Sequence, residues 1–228
     1  MSHSQHPLQL IEDDTALAQS IAGLLTSLNH ACTHYKNAED FLLYVKNNPQ
    51  AMTLTSCIIS DVRLPQLSGI DLLHQVKREH ADSVWPIILM TGHGDVAMAV
   101  DAMHAGAFDF LIKPFDPYLL LEKVDNAIAL SEEIKDNFDF TTTFQSRLMK
   151  LTEQENIVCK LMLQNKSSRE IAELLGNSSR TIEVHRATIL KKMGFESLLQ
   201  FAQQHQRYEV LKNLTTGAHP FENAQRSR

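Results

Sequence analysis

The 228-residue sequence lacks several features that mark the simplest classes of protein. It has no apolar run close to the roughly 18 residues that a membrane-spanning helix requires. Residues 1–10 contain neither the basic nor the apolar segment of a secretion signal, so we expect a cytoplasmic protein without a membrane partner. Only 8 glycines and 7 prolines are present, which excludes collagen-like and Gly/Pro-rich low-complexity chains.

Cysteine is also scarce. The three cysteines, Cys32, Cys57 and Cys159, are an odd number, and none of them belongs to a CxxC pair. This pattern indicates neither a disulfide framework nor a zinc site, so we expect buried thiols in a reducing compartment. The C-terminal part likewise has no Walker loop, zinc-ligand spacing or nucleophile elbow, which argues against an attached enzyme.

Charge is divided unevenly along the chain. Through Leu130 there are 7 Lys and Arg against 15 Asp and Glu, whereas from Ser131 onward there are 14 against 12. An acidic first part followed by a mildly basic second part is compatible with a nucleic-acid-binding segment, but the small positive balance does not establish one. The assignment of function therefore rests on the motifs.

The first 130 residues alternate between two hydrophobic periodicities. Apolar runs of strand length lie at 8–11, 31–35, 56–60, 86–90 and 109–112. Between them, and last at 119–130, apolar residues recur at intervals of three and four, as in amphipathic helices. Five strands alternating with five helices predict an α/β domain with a parallel sheet covered on both faces. Ligands bind such a sheet at the carboxyl ends of its strands.

The residues after Leu130 predict a different architecture. Segment 131–147 loses clean periodicity and contains three consecutive threonines, so we interpret it as a linker between a domain at 6–130 and one at 148–212. The second domain has helical patterns only, with capping boxes at 152–155 and 167–170, a break at 177–179 and a last helix at 197–208. The polar tail 213–228 is expected to be flexible.

Polar residues follow the predicted strands at one edge of the sheet. Glu12 and Asp13 end the first strand, and Asp61 ends the third. Thr91 and Lys113 end the fourth and fifth strands, and we call these five residues the carboxylate pocket. Clustered carboxylates repel one another unless a cation is present. Because Mg²⁺ is typically held by a few carboxylates beside a phosphate, the set predicts a magnesium site.

Four blocks of this part resemble the receiver domain of bacterial two-component response regulators. They follow in the family's order, as Ile11-Glu12-Asp13-Asp14, Ser60-Asp61-Val62-Arg63-Leu64-Pro65 with Gly69, Thr91-Gly92-His93-Gly94-Asp95 and Asp109-Phe110-Leu111-Ile112-Lys113-Pro114-Phe115. The resemblance implies a CheY-like fold and phosphorylation of Asp61 by a sensor histidine kinase. It also implies that Glu12, Asp13, Asp61 and the backbone carbonyl of Arg63 hold Mg²⁺.

The same resemblance implies roles for the residues around Asp61. Thr91 would donate its hydroxyl to one phosphoryl oxygen, and Lys113 would pair with another. Phe110 would be an aromatic switch that turns inward as Thr91 moves. A carboxylate, a divalent cation and an ammonium are what phosphoryl transfer needs. Family members have a cis bond where Lys113 precedes Pro114, which only X-Pro bonds adopt at low cost.

Three neighbours of the pocket have competing interpretations. Asp14 is better explained as a helix N-cap than as a metal ligand. Arg63 and His93 lie two residues beyond Asp61 and Thr91, where family members tune the hydrolysis of the phosphoryl group. Both are explained equally well as solvated loop residues. Apart from accepting a phosphoryl group and slowly hydrolysing it, no enzymatic activity is predicted.

The second domain resembles the LuxR-type helix-turn-helix family. Leu151-Thr152-Glu153-Gln154-Glu155, Ser168-Arg169-Glu170-Ile171-Ala172-Glu173-Leu174-Leu175-Gly176 and Arg180-Thr181-Ile182-Glu183-Val184-His185-Arg186 match it in residue type and spacing. The second helix of the motif carries four cations against Glu183 alone, namely Arg180, Arg186, Lys191 and Lys192. Clustered cations favour DNA phosphates, although a charged helix face is by default a solvated one, so charge alone does not indicate DNA binding.

The resemblance implies that Glu183, Val184 and Ala187 of this helix face base edges. It implies that Thr181, Arg186 and Lys191 face phosphates, and Arg180 belongs to the same DNA-binding set. Apolar side chains contact thymine methyls, and a carboxylate accepts from a cytosine amino group. Asn177 and Ser179 depart from the family's usual apolar residue and proline at the turn. We expect the fold to survive both departures.

A receiver followed by this output domain resembles the FixJ/NarL class of response regulators, with the FixJ branch favoured by the two motifs that begin at Asp61 and Thr91. We therefore predict a phosphorylation-switched transcription regulator that dimerises through about residues 96–112 and binds double-stranded promoter DNA. RNA polymerase is a candidate partner. The alternative is a phosphorylation-independent DNA-binding regulator whose receiver serves as a dimer scaffold.

Overall fold

The computed structural model describes residues 7–80, 83–92 and 96–215. These residues form two compact units, and the boundary between the units falls between Asp136 and Asn137, inside one long helix. Within the described part of the chain, every helix is too short or too polar to cross a lipid bilayer.

The first unit is a five-stranded parallel sheet with helices between the strands. The strands are β1 (Leu8–Ile11), β2 (Cys32–Tyr35), β3 (Ile58–Asp61), β4 (Ile87–Thr91) and β5 (Asp109–Ile112), in the order β2-β1-β3-β4-β5. The helices are α1 (Thr15–Ser27), α2 (Ala38–Asn47), α3 (Gly69–Glu79), α4 (Val96–His104) and α5 (Pro117–Leu148), with a 3-10 turn at Ala51–Thr53. This architecture confirms the predicted α/β fold.

Alternate residues of the central strands contribute to two separate hydrophobic cores. In β3, Ile58 belongs to one core and Ile59 to the other; in β4, Leu89 and Ile88 divide in the same way. Helices α2, α3 and α4 complete the first core, whereas α1 and the beginning of α5 complete the second. Because both faces of the sheet are covered, the strands are apolar along nearly their whole length.

The starts of the helices agree with the caps predicted from the sequence. The carboxylate of Asp14 accepts hydrogen bonds from the backbone N–H groups of Ala16 and Leu17, at 2.9 and 3.1 Å. Asn37 and Ser68 cap α2 and α3 in the same manner. Asp14 is therefore an N-cap, as expected, and its side chain stabilises the first turn of α1.

The second unit is all α-helical. It contains α6 (Glu153–Leu163), α7 (Ser168–Leu175), α8 (Ser179–Met193) and α9 (Leu198–Thr215), together with the last part of α5. Both predicted capping boxes are present, at the starts of α6 and α7. The core of this unit is rich in aromatic rings, with Phe144 stacked against Phe201 and Tyr208.

Segment 131–147 departs from the sequence-based prediction. The helix predicted to end at Leu130 continues as α5 to Leu148, so that end point was wrong. Ser131 and Ile134 are buried in the first unit, and Phe144 is buried in the second, so tertiary packing continues along the helix. The threonines do not break it, since the hydroxyl of Thr141 donates to a carbonyl one turn earlier in α5, at 2.9 Å.

The last helix is also longer than predicted. Helix α9 reaches Thr215, whereas the sequence placed its end near Tyr208 and a flexible tail at 213–228. Residues 216–228 of that tail lie outside the described residues.

Candidate functional site: a carboxylate pocket and a helix-turn-helix

Three strands bring the charged residues of the carboxylate pocket together. Glu12 follows β1, Asp61 ends β3, and Lys113 follows β5. The ammonium nitrogen Nζ of Lys113 lies 2.6 Å from Glu12 Oε2 and also donates a hydrogen bond to Asp61 Oδ2. One cation therefore joins two carboxylates from separate strands, as the convergence of parallel strand ends predicted.

Burial and hydrogen bonding act in opposite directions on the charged groups of the pocket. Glu12 is only 1% exposed and Asp61 only 8%. Desolvation raises the pKa of Glu12 above its ordinary value, although the ion pair with Lys113 acts in the opposite direction. Desolvation also acts to lower the pKa of Lys113, but its hydrogen bonds to Asp61 and Glu12 raise that pKa above the ordinary value. The lysine is therefore held in its charged form.

The carboxylates of Glu12, Asp13 and Asp61 fit a divalent cation. One oxygen atom from each lies within 4.8 Å of the others. Glu12 and Asp61 are buried whereas Asp13 is exposed, so an ion held here would have protein oxygens on one side and water on the other. Such a set suits Mg²⁺, which prefers oxygen ligands and keeps several of its waters.

The backbone after Asp61 holds its side chain and approaches it closely. The N–H of Arg63 donates to Asp61 Oδ1 at 2.9 Å, so both carboxylate oxygens have a hydrogen-bond donor. Gly69, the first residue of α3, lies so close that a Cβ atom on it would be 2.2 Å from the carbonyl oxygen of Asp61. In the sequence, Gly69 belongs to a family block, but no role follows from that position. Its only local signal is that a glycine stands at the start of a helix.

The predicted switch residues lie on β4 and β5. Thr91 is fully buried at the end of β4, and its carbonyl accepts a hydrogen bond from the backbone N–H of Lys113 at 2.7 Å. Phe110 is half-buried and packs against the first core. The Lys113–Pro114 bond is cis, as expected. Arg63 is exposed, and His93 lies outside the described residues.

Helices α7 and α8 are joined by a short turn. Gly176 ends α7 with a φ of 65°, a left-handed conformation that glycine adopts without strain. The side chain of Asn177 donates to the carbonyl of Leu175 at 3.3 Å, and Ser178 caps α8. The two departures from the family pattern, at Asn177 and Ser179, therefore leave both helices intact, because polar contacts close the turn.

Most of the residues predicted to contact DNA are exposed on α8. Its opposite side is anchored in the core by Ile182 and Ile189, whereas Val184 is 61% exposed, a large fraction for an apolar side chain. Arg186 is half-buried and donates to the carbonyl of Lys166 at 3.1 Å. The exposed members are Arg180, Thr181, Glu183, Val184, Ala187 and Lys191.

Lys192 differs from the other cations of α8. Its Nζ lies 2.6 Å from Glu155 Oε2 and 3.2 Å from the carbonyl oxygen of Lys150. Glu155 is buried and also forms the capping box with Thr152 at the start of α6. In the sequence, Lys192 counts among the cations of the helix that favour DNA; in the structure its charge is paired within the domain.

The Glu155–Lys192 contact predicts a measurable titration. The hydrogen bond from Lys192, with that from the backbone of Thr152, lowers the pKa of Glu155 below its ordinary value of 4.5. The stability that Glu155 contributes is therefore present above that value and is lost as the pH falls through the lowered pKa. We expect Lys192→Met to raise the pKa of Glu155, measured from the NMR chemical shift of its side-chain carboxyl carbon as the pH is varied. An unchanged pKa would contradict the ion pair.

The fold and the two sites define a class of protein: a response regulator in which a receiver precedes a DNA-binding output domain. The family described as "Response regulator receiver domain" matches residues 8–125, and the family described as "Bacterial regulatory proteins, luxR family" matches residues 149–204. The chain belongs to the response regulators of the FixJ/NarL class.

Known relatives align with most of the chain. The transcriptional regulatory protein FixJ of Azorhizobium caulinodans is 36% identical over 192 residues, which cover 84% of this chain and 88% of that protein. FixJ of Bradyrhizobium diazoefficiens is 35% identical over 208 residues, which cover 90% of this chain and 97% of that protein. The protein is accordingly a phosphorylation-dependent transcriptional regulator, and its relatives are regulators rather than classical enzymes.

Solved structures agree with this assignment. The response regulator StyR superimposes with a TM-score of 0.79 at 28% identity, covering 90% of this chain and all of that one. Full-length FixJ from B. japonicum gives a TM-score of 0.55 at 34% identity, covering 92% of this chain and 99% of that one.

Proposed function

We propose that Asp61 accepts a phosphoryl group from a sensor histidine kinase and that this modification switches the binding of α8 to promoter DNA. The observation that carries the proposal is the contact of the Lys113 ammonium with both Asp61 and Glu12, beside Asp13. We assign the receiver to residues 6–130, the connection to 131–147 and DNA binding to 148–212, in the cytoplasm.

The chemistry of acceptance follows from the contacts of Asp61. A carboxylate oxygen attacks the phosphorus of a phosphohistidine, the bond between phosphorus and the imidazole nitrogen breaks, and the imidazole leaves. Lys113 and the N–H of Arg63 orient the carboxylate beforehand. Mg²⁺ held by Glu12, Asp13, Asp61 and the carbonyl of Arg63 would offset the negative charge on the transferring oxygens. Slow self-dephosphorylation would reverse the modification.

Residues already at the strand ends would bind the oxygens of the phosphoryl group. Lys113 would exchange a carboxylate partner for a phosphoryl oxygen, and the hydroxyl of Thr91 would donate to another. The movement of Thr91 would let Phe110, which is only half-buried, turn inward. These changes would shift the equilibrium between two conformations of the surface formed by α4 and β5.

That surface suits the dimerisation predicted for residues 96–112. Val100, Met103 and Ile112 are 46%, 38% and 49% exposed, so α4 and β5 present large apolar side chains to solvent. Pairing of two copies through this surface would present two α8 helices to half-sites about one helical turn apart. RNA polymerase remains a candidate partner at the promoter.

Magnesium dependence tests the pocket. In the wild type, we expect acetyl phosphate to add a phosphoryl group only when Mg²⁺ is present. Asp13→Asn removes one carboxylate ligand and should weaken the Mg²⁺ affinity by about 10-fold or more, measured by calorimetry and by the Mg²⁺ dependence of phosphorylation.

The neighbouring variant Asp14→Asn is a matched control, because it removes the same charge while asparagine still caps α1. It should retain wild-type affinity for Mg²⁺. Equal losses in both variants would show a general effect of charge and would contradict the proposed ligand set.

A further inference from the structure

We propose that Arg147 is a positioning residue that fixes the C-terminal end of α8 for DNA binding. The inference rests on the proposed function of α8. Arg147 lies in the last turn of α5, and its Nη1 donates a hydrogen bond of 2.8 Å to the carbonyl oxygen of Met193, the last residue of α8. The two residues are 46 positions apart in the sequence.

Arg147 supplies a hydrogen-bond donor for a backbone carbonyl at the C-terminal end of α8. The last four carbonyl groups of a helix have no partner within the helix. Here the N–H groups of Gly194 and Phe195 turn back to the carbonyls of Lys191 and Leu190, at 3.2 and 2.9 Å. The carbonyl of Met193 is left to Arg147, whose positive charge also interacts favourably with the negative end of the helix dipole.

Gly194 makes room for this arrangement. It ends α8 with a φ of 76°, which favours glycine by itself. A Cβ atom at this position would also lie 2.9 Å from Nη1 and 3.2 Å from Cζ of Arg147. The guanidinium therefore packs directly against the glycine, and a larger residue there would displace it.

A second contact holds the same turn of α8. Lys192 binds Glu155 and the carbonyl of Lys150. Residues on either side of the α5–α6 junction therefore contact α8 at two adjacent positions, Lys192 and Met193. The exposed Lys191, which we assign to a DNA phosphate, directly precedes these positions. These contacts fix the position of Lys191 and of the exposed face of α8 within the domain. Arg147 is half-buried and bound to a carbonyl, so it does not itself contact a phosphate.

Salt dependence separates a positioning residue from a phosphate contact. The probe is the duplex that the full-length wild type, with beryllium fluoride and Mg²⁺, enriches most strongly from a random-sequence library. Anisotropy titrations over a range of NaCl concentrations give the Kd and its salt slope, and stoichiometric titration gives the active fraction. We expect Arg147→Gln to weaken binding about 3- to 10-fold at every salt concentration without changing the slope.

Two further variants calibrate the result. Lys191→Gln should weaken binding and reduce the magnitude of the salt slope by about 0.9, because one released counterion is lost. Arg147→Lys should restore most of the affinity, since an ammonium keeps the charge at the helix end and can donate to the carbonyl of Met193.

Three outcomes for Arg147→Gln would overturn the inference, and one outcome for the wild type would contradict the proposed function. Wild-type affinity in Arg147→Gln overturns the inference, as does a slope reduced like that of Lys191→Gln, which would make Arg147 a phosphate contact. A smaller active fraction that binds with wild-type Kd would show that Arg147 only stabilises the domain, which also overturns the inference. Failure of the wild type to enrich any duplex would instead contradict the proposed function itself.

Discussion

Asp61→Asn is expected to abolish the mass increase that acetyl phosphate and Mg²⁺ produce in the wild-type protein. The amide nitrogen and oxygen of asparagine are poor nucleophiles, so the substitution removes the attacking carboxylate from between Lys113 and the N–H of Arg63. Intact-mass spectrometry should show phosphorylation falling below detection. DNA affinity should then no longer respond to acetyl phosphate, although the variant should bind DNA as weakly as the unmodified wild type.

The control for this prediction is Asp136→Asn, which makes the same chemical change at an exposed position of α5. It should be phosphorylated like the wild type. Persistence of the mass increase in Asp61→Asn would place the acceptor elsewhere and would overturn the assignment of the pocket.

The second large effect is expected from Gly69→Ala. Its new methyl group would lie 2.2 Å from the carbonyl oxygen of Asp61, a distance at which backbone must move. Because the obstacle is backbone rather than a flexible side chain, we expect a loss of about 2–3 kcal/mol in the free energy of unfolding. The displacement of Asp61 should also reduce Mg²⁺-dependent phosphorylation. Urea denaturation followed by fluorescence of Trp85, the single tryptophan, reports on the first unit.

Gly23→Ala makes the same substitution where there is space. Gly23 is exposed within α1, and a Cβ atom added to it would meet no atom within 4 Å. Alanine is the better helix former, so this variant should be more stable than the wild type by about 0.5–1 kcal/mol. If Gly69→Ala were as stable as Gly23→Ala, the close approach to Asp61 would be wrong.

The sheet and the pocket could be predicted because their signals are local. Alternating periodicities identified the strands and helices, and the direction of parallel strands placed Glu12, Asp61 and Lys113 at one edge. The hydrogen bonds of Lys113 confirm that Glu12 and Asp61 meet there. The cap of Asp14 was likewise predictable from its position before an apolar periodic run.

The features that could not be predicted from the sequence depend on packing between residues far apart in the chain. Helix α5 continues through a polar segment because Ile134 and Phe144 are buried in different units, and its apolar positions change from aliphatic to aromatic on the way. The contacts of Arg147 with Met193 and of Lys192 with Glu155 join residues 46 and 37 positions apart. No local spacing indicates such pairs, so Lys192 was assigned to the charge that faces DNA.

The central claim, that phosphorylation switches DNA binding, is tested most directly by capture and sequencing of genomic fragments at one stated salt concentration. Purified protein is used with and without beryllium fluoride and Mg²⁺, which mimic the phosphorylated aspartate. We predict strong enrichment of a paired half-site only with the mimic. Equal enrichment in both conditions would contradict the switch and favour the phosphorylation-independent regulator, and enrichment in neither would contradict DNA recognition by α8.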